Sequence, residues 1–431
     1  MNLEPTEIQE TVIKLVEEMT EEWGLELDSP IAPADKLIEN LDFSSVDFVQ
    51  LFVSIEDKFQ KKLGFHDLLM VDGKYIDDLS ITELVMFIAN KLNSSAGDSQ
   101  EAIEAKFIAT LPDSEKINAS KVAQFREVIP SPPVHYEGMK NTRRVVFILC
   151  PSRSGSTLLR VILAGHPQLF APPELHLLTY DTLKQRQHSL SDELNKHLLS
   201  GTVEAIMRAK DCSIGEAEQL MQTCVDQDLS SKQFYALLQE WIGDKLLVDK
   251  TPSYAYHPNI LKRAETDFFA GAYYIHLLRH PFGMIRSFED AKLDRLVPFM
   301  RSETFSRREY AEMAWLICQQ NILEFLKDIP SNRQSQVKFE DLVANPQITA
   351  ESICKFLGLD FYPEMLEPYK EKNQRMTDGV YAVSRMSGDL KFHLHERIEP
   401  EAAYRWQKYY NVDFLSDMTW QLAESFGYAR P

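Results

Sequence analysis

The segment PSRSGSTLLR (151–160) brings a guanidinium, a glycine and three hydroxyls together in Arg153, Ser154, Gly155, Ser156 and Thr157. It follows a short apolar run, VVFIL, and leads into a helical pattern, TLLRVILAGH. A strand–turn–helix corner of this kind aims backbone N–H groups and the positive end of a helix dipole at an anion. Gly155 allows close backbone approach, the hydroxyls donate, and Arg153 adds a fixed positive fork. The loop of nucleoside triphosphatases reads GxxxxGK[ST]. Here its first glycine and its lysine are missing, which argues against triphosphate hydrolysis, where that lysine reaches the terminal phosphates. In a second segment, IHLLRHPFGMIRSF, Arg279 ends an apolar run and Ser287 follows it on the next helix. The arginine can fork a phosphate, and the serine lies about two helical turns further on.

Proton chemistry has several candidates. Glu174, in APPELHLL, follows the first anion loop and its helix, with His176 close behind. Lys250, in LLVDKTP, could stabilise charge on a bridging oxygen or hold the substrate pocket. His393 and His395 are rival bases in SRMSGDLKFHLH (384–395), whereas His280 reads as structural in its RHP corner. No HExxH or other metal-ligand spacing is present, so no metal is expected.

The elements that must position these groups are strands alternating with helices. VVFIL (145–149), LLVDKTP (246–252), AYYIHLL (272–278) and QVKFEDLV (336–343) read as strands of a largely parallel sheet in an α/β domain. Ahead of it, helical periodicity predicts helices over 6–24, 46–61 and 82–92, a compact all-α bundle. Further helix is expected within 101–129. The small polar run NSSAGDSQ (93–100) reads as a linker. The expected division is 1–95, a linker with docking helices over 96–140, and 141–431.

The two anion motifs together resemble those of sulfotransferases that use 3′-phosphoadenosine-5′-phosphosulfate (PAPS), over roughly residues 144–410. The resemblance implies that Arg153, Ser154, Gly155, Ser156 and Thr157 bind the 5′-phosphosulfate and that Arg279 and Ser287 bind the 3′-phosphate. VKFEDLVANP resembles the family's YEDL element with Phe339 in place of tyrosine, and LLVDKTP its Lys-Thr-Pro element. SRMSGDLKFHLH resembles the C-terminal lid, making Arg385 and Lys391 further 3′-phosphate contacts. In the carbohydrate, tyrosylprotein and polyketide branches an acidic residue near Glu174 acts as base; Glu174, His393 and His395 remain alternatives. The implied fold is an α/β domain with a P-loop-type parallel sheet.

NLDFSSVDFVQLFVSIEDKF (40–59) resembles the second-helix region of acyl and peptidyl carrier proteins. Counting back from Glu56 and Phe59 puts Ser45 at the phosphopantetheine serine, with Asp47 and Glu56 on an acidic recognition helix. Ser44 stands where the family has Asp, and Asp42 where it has Gly. Together the halves resemble carrier–sulfotransferase didomains of polyketide and olefin-forming assembly lines, in which a carrier-bound β-hydroxyacyl chain is sulfated. That implies a phosphopantetheinyl transferase, upstream synthase modules and a separate thioesterase as partners. Sulfation of a free small molecule beside a vestigial carrier, and a noncatalytic scaffold, are the other readings.

Composition limits the remaining classes. The net charge is −19, and residues 1–95 hold 7 Lys and Arg against 20 Asp and Glu. Nucleic-acid binding through phosphate neutralisation is therefore not expected. An acidic amphipathic N-terminus without an apolar h-region does not read as a signal peptide. No apolar run is long enough for a membrane span. Five scattered cysteines without a CxxC pair fit reduced thiols, and a cytoplasmic location is expected.

Overall fold

The computed structural model describes residues 5–22, 31–38, 40–41, 43, 45–59, 61, 63, 65, 68, 70–71, 74–75, 79–93, 116–131, 140–191, 196–301, 304–370, 375–376, 397–410 and 413–430. The chain divides into two compact units, Met1–Ala109 and Thr110–Pro431.

In the first unit, helices α1 (Pro5–Glu22), α2 (Ser45–Phe59) and α3 (Ile81–Asn93) share one core. Ile8, Val12 and Val16 recur at helical spacing on α1 and are fully buried beside Leu51, Ile55, Leu84 and Ile88. Phe52 stacks on Phe65 with ring centroids 4.2 Å apart. A two-residue antiparallel ribbon pairs β1 (Met70–Val71) with β2 (Lys74–Tyr75). Asp47 is buried within α2, and Glu56 accepts a hydrogen bond from the Leu63 amide (2.9 Å).

The second unit is built on a five-stranded, wholly parallel sheet in the order β4–β5–β3–β6–β7. Its strands are β3 (Val145–Leu149), β4 (Leu169–Phe170), β5 (Leu246–Asp249), β6 (Tyr273–Leu278) and β7 (Gln334–Lys338). β3 is central and all five of its residues are buried, as its unbroken β-branched and aromatic run requires between two covered faces. Helices α4 (Ala119–Val128), α5 (Ser156–Ala164), α9 (Ser231–Trp241), α11 (Pro281–Asp290) and α12 (Arg307–Leu326) are among those of this unit. In the middle of the chain lie α6 (Leu183–Ser189), α7 (Ser200–Lys210), α8 (Ile214–Asp226) and α10 (Pro258–Arg263), and a single helical turn, Leu293–Leu296, left unnumbered, precedes α12.

One strand expectation is corrected. QVKFEDLV does not run on as strand: β7 ends at Lys338, and Phe339–Ala344 is helix α13, followed by α14 (Pro346–Leu357). Phe339, Leu342 and Val343 have helical spacing and are all buried, so one helix face takes up the apolar side chains that a strand reading assigned to alternate faces. β4 is an addition that two residues could not signal. α4 lies within the stretch expected to link the domains, and it packs on the second unit: Phe125 meets Tyr310 edge-on at 5.6 Å, and Arg126 donates to Asn321 and Gln320. The chain closes with α15 (Asp417–Ser425). No described helix is long and apolar enough to cross a membrane.

Candidate active site

Chain direction places the C-terminal ends of β3, β5 and β6 side by side, where ligands of open parallel sheets bind. From β3 the chain turns sharply into α5. Arg153 (φ 66°) and Gly155 (φ 86°) both adopt left-handed conformations. For a non-glycine residue such as Arg153 this stores on the order of 1–3 kcal/mol of strain. Gly155 has no alternative: a β-carbon there would come within 2.2 Å of the Phe339 ring. The Ser154 hydroxyl is fully buried and has no hydrogen-bond partner. An orphaned hydroxyl inside a loop of this shape fits an anion that supplies the missing acceptor.

The second anion motif is locked to the first. Arg279, just beyond β6, donates from Nη1 to the Arg153 carbonyl (2.7 Å). Its guanidinium lies 4.4 Å over the Phe339 ring, and Trp315 Nε1 donates to its carbonyl (3.0 Å). Arg153 Nε donates to Ser287 Oγ on α11 (3.2 Å). Phe339 therefore serves both motifs, packing against the bare glycine and carrying the arginine on its face. His280 is structural: its ring stacks on Trp406 at 4.4 Å, and Nδ1 accepts from the Phe282 amide. Burial, helped by the neighbouring Arg279 charge, pulls its pKa down to about 4.

Glu174 lines the same cavity. Lys250 Nζ donates to its Oε1 (2.6 Å), and His176 Nε2 lies 3.3 Å from Oε2. Burial pushes the Glu174 carboxyl up, but Lys250 and His176 more than reverse this and bring it down to about 2. It is therefore ionised throughout the neutral range.

The backbone that carries Glu174 is held by a buried hub. Thr251 Oγ1 accepts from the Leu175 and His176 amides (3.2 and 3.4 Å), and Tyr254 OH accepts from the Leu177 and Leu178 amides (2.8 and 3.2 Å). Both hydroxyls donate in turn to Asp249, at 2.7 and 3.1 Å, and Tyr235 OH donates to it as well. Burial pushes the Asp249 carboxyl up, and these three hydroxyl donors act against that. Asp249 thus keeps two hydroxyl protons turned away from four consecutive amides. Asp249→Asn puts an N–H₂ where an acceptor stood, and strands a buried group at a cost of roughly 1–3 kcal/mol. The expected result is a lower urea midpoint at unchanged slope; an unaltered midpoint would show that the hub is dispensable.

Arg153, Gly155, Ser156, Thr157, Glu174, Arg279 and Ser287 line one cavity of about 1000 Å³. Ser154 and Lys250 are buried behind its wall. Its lining also includes apolar Ile260, Leu293, Val297 and Phe299, together with His257 and Ser253. Arg385, Lys391, His393 and His395 lie outside the described residues, and Ser45 opens α2 in the first unit. Sequence reasoning missed the Asp249–Thr251–Tyr254 hub and gave His176 no role. The available signal was a polar Asp-Lys-Thr run beginning on the last residue of a buried strand, at the same sheet end as the anion loop.

The profile of the Sulfotransferase family matches residues 145–364. A solved structure, the sulfotransferase domain from the curacin biosynthetic pathway, is 39% identical, with 68% of this chain and 100% of that one covered and a TM-score of 0.63. The sulfotransferase domain of the olefin synthase from Synechococcus PCC 7002 is 36% identical, covering 68% of this chain and 98% of that one, with a TM-score of 0.61. A comparison with curated proteins gives no match. The chain belongs to the sulfotransferase family, and its second unit is an α/β sulfotransferase fold.

Proposed function

We propose that the second unit transfers a sulfuryl group from PAPS to a hydroxyl of an acyl chain held on a phosphopantetheine arm. We further propose that residues 1–95 are a carrier domain bearing such an arm on Ser45. The observation that carries the reading is the single cavity joining the two anion motifs to an ionised Glu174. In the reaction the acceptor oxygen bonds to sulfur as the sulfur–oxygen bond to the 5′-phosphate breaks. The acceptor proton passes to Glu174, and 3′-phosphoadenosine-5′-phosphate (PAP) leaves. Negative charge grows on the departing phosphate, where the loop N–H groups and Arg153 stabilise it. Lys250 holds the base in line. Arg385 and Lys391 of the lid segment would add charge to the 3′-phosphate, and His393 and His395 are the rival bases. The apolar wall at Ile260, Leu293, Val297 and Phe299 suits an acyl acceptor. The relatives from the curacin pathway and an olefin synthase support assembly-line biosynthesis, with a phosphopantetheinyl transferase, upstream synthase modules and a separate thioesterase as partners.

The test is to incubate the chain with PAPS and a hydroxyacyl-loaded carrier and follow the mass of the arm. Sulfation of the free acid but not of the carrier-bound chain would overturn the tethered acceptor. The donor half has its own check. Arg279→Ala is expected to weaken PAP binding by roughly 2–5 kcal/mol, the cost of stranding one partner of a hydrogen-bonded charge pair. Unchanged affinity by calorimetry would refute the 3′-phosphate role.

A further inference from the structure

Trp406 is one of the residues of the cavity wall. It is 7% exposed, and its indole N–H has no hydrogen-bond partner. Neighbouring indoles are satisfied: Trp315 donates to the Arg279 carbonyl and Trp420 donates to Asp413 Oδ1 (2.7 Å). An amide-like donor buried without an acceptor costs roughly 1–3 kcal/mol, so an orphan of this kind on a residue that lines a cavity fits an acceptor on a ligand.

The position of the indole identifies which part of a ligand that is. Trp406 lies in the short 3-10 helix Arg405–Lys408, beyond the lid segment. Its ring is pinned by the stack on His280, at 15° between planes, and by Phe282 at 5.0 Å. Trp406 and Arg279 both lie against the bare face of Gly283: a β-carbon there would lie 3.1 Å from Arg279 Nε and 3.3 Å from Trp406 Cδ1, the carbon bonded to the indole nitrogen. One turn along α11, Arg286 presents a second buried nitrogen, Nε, with no partner, while its Nη2 pairs with Asp290 (2.7 Å) and its guanidinium covers Tyr409 (4.1 Å). Arg279, Gly283, Arg286, Ser287 and Trp406 all line the same cavity. Two orphan donors thus line the same cavity as the arginine and serine proposed above for a phosphate.

We infer that Trp406 is a binding residue for the 3′-phosphate of the donor nucleotide, its indole N–H donating to a phosphate oxygen beside Arg279 and Ser287. This rests on the PAPS reading above. Gly283 lets the indole and the arginine approach one anion, and the His280 stack holds the indole edge ready before the nucleotide arrives.

The experiment compares PAP with adenosine 5′-phosphate, which lacks only the 3′-phosphate, on the full chain. Trp406→Phe keeps the ring stack and removes the donor. It is expected to weaken PAP roughly ten- to hundredfold, the span of one hydrogen bond to a charged group, and to leave adenosine 5′-phosphate unchanged. Equal losses for both nucleotides would overturn the inference, because the indole would then serve the adenine or the fold. So would no loss for either. The unaltered chain gives a second reading that does not depend on the variant's folding. With ¹⁵N-labelled tryptophan, the Trp406 indole resonance is expected to move on adding PAP and to stay in place with adenosine 5′-phosphate. A resonance that ignores PAP would sink the inference alone. Wild-type protein that binds the two nucleotides alike would sink the donor reading and the inference with it.

Discussion

Glu174→Gln is expected to slow sulfuryl transfer by roughly 10²- to 10⁴-fold, the usual contribution of a general base, while PAP affinity stays nearly intact. The substitution is isosteric but cannot take a proton, and it leaves Lys250 buried without its charge partner. A carboxyl brought down to about 2 is a weak base for a free alcohol. It is sufficient here if the proton moves as the new sulfur–oxygen bond forms, because sulfation of the oxygen makes its proton strongly acidic. The rate should be measured in single turnover on a carrier-bound hydroxyacyl chain, so that product release is not mistaken for chemistry. If Glu174→Gln turns over normally and a His393 or His395 variant does not, the base is the histidine and Glu174 only positions.

The same ion triad makes a statement about pH. The folded Glu174 carboxyl sits below its ordinary value of roughly 4.3, so its pairing stabilises the fold fully above that value. The contribution is lost as pH falls towards about 2. No limb of the pH–rate profile near neutrality then belongs to Glu174. A carboxylate-type limb appearing at about pH 6 would mean that the Lys250 contact opens when substrate binds.

What could be read from sequence was whatever one short segment carries by itself. The corner from VVFIL into STLLR was visible because a central parallel strand is apolar on both faces and an anion loop needs glycine and hydroxyls at the turn. Arg279 and Ser287 were visible through their resemblance to a family motif, with which helix geometry is consistent. The boundary at Lys338 was not, because Phe339, Leu342 and Val343 satisfy a short apolar run as well as a helix face. The Asp249 hub was invisible for a different reason. An aspartate at a strand end reads as solvent-exposed, and only the arrival of Tyr235 from α9 and Tyr254 from the next turn buries it. Trp406 is further still from local rules: its importance lies in an unpaired atom, which exists only once every neighbour is in place.

Ser45→Ala is expected to abolish phosphopantetheine attachment altogether, and this is the sharpest test of the carrier proposal. Ser45 is the first residue of α2, and Asp47 follows in the first turn. A phosphodiester on Ser45 would meet the unpaired amides of the helix start and the positive end of its dipole. The spacing to Glu56 and Phe59 selects Ser45 over Ser44. The assay is intact mass after incubation with coenzyme A and a promiscuous phosphopantetheinyl transferase. Arm addition to the wild type and to Ser44→Ala, with none to Ser45→Ala, is the expected pattern. Modification surviving in Ser45→Ala and lost in Ser44→Ala would move the register by one residue. No modification of the wild type would remove the carrier role and leave the sulfotransferase unit to act on acceptors delivered by another protein.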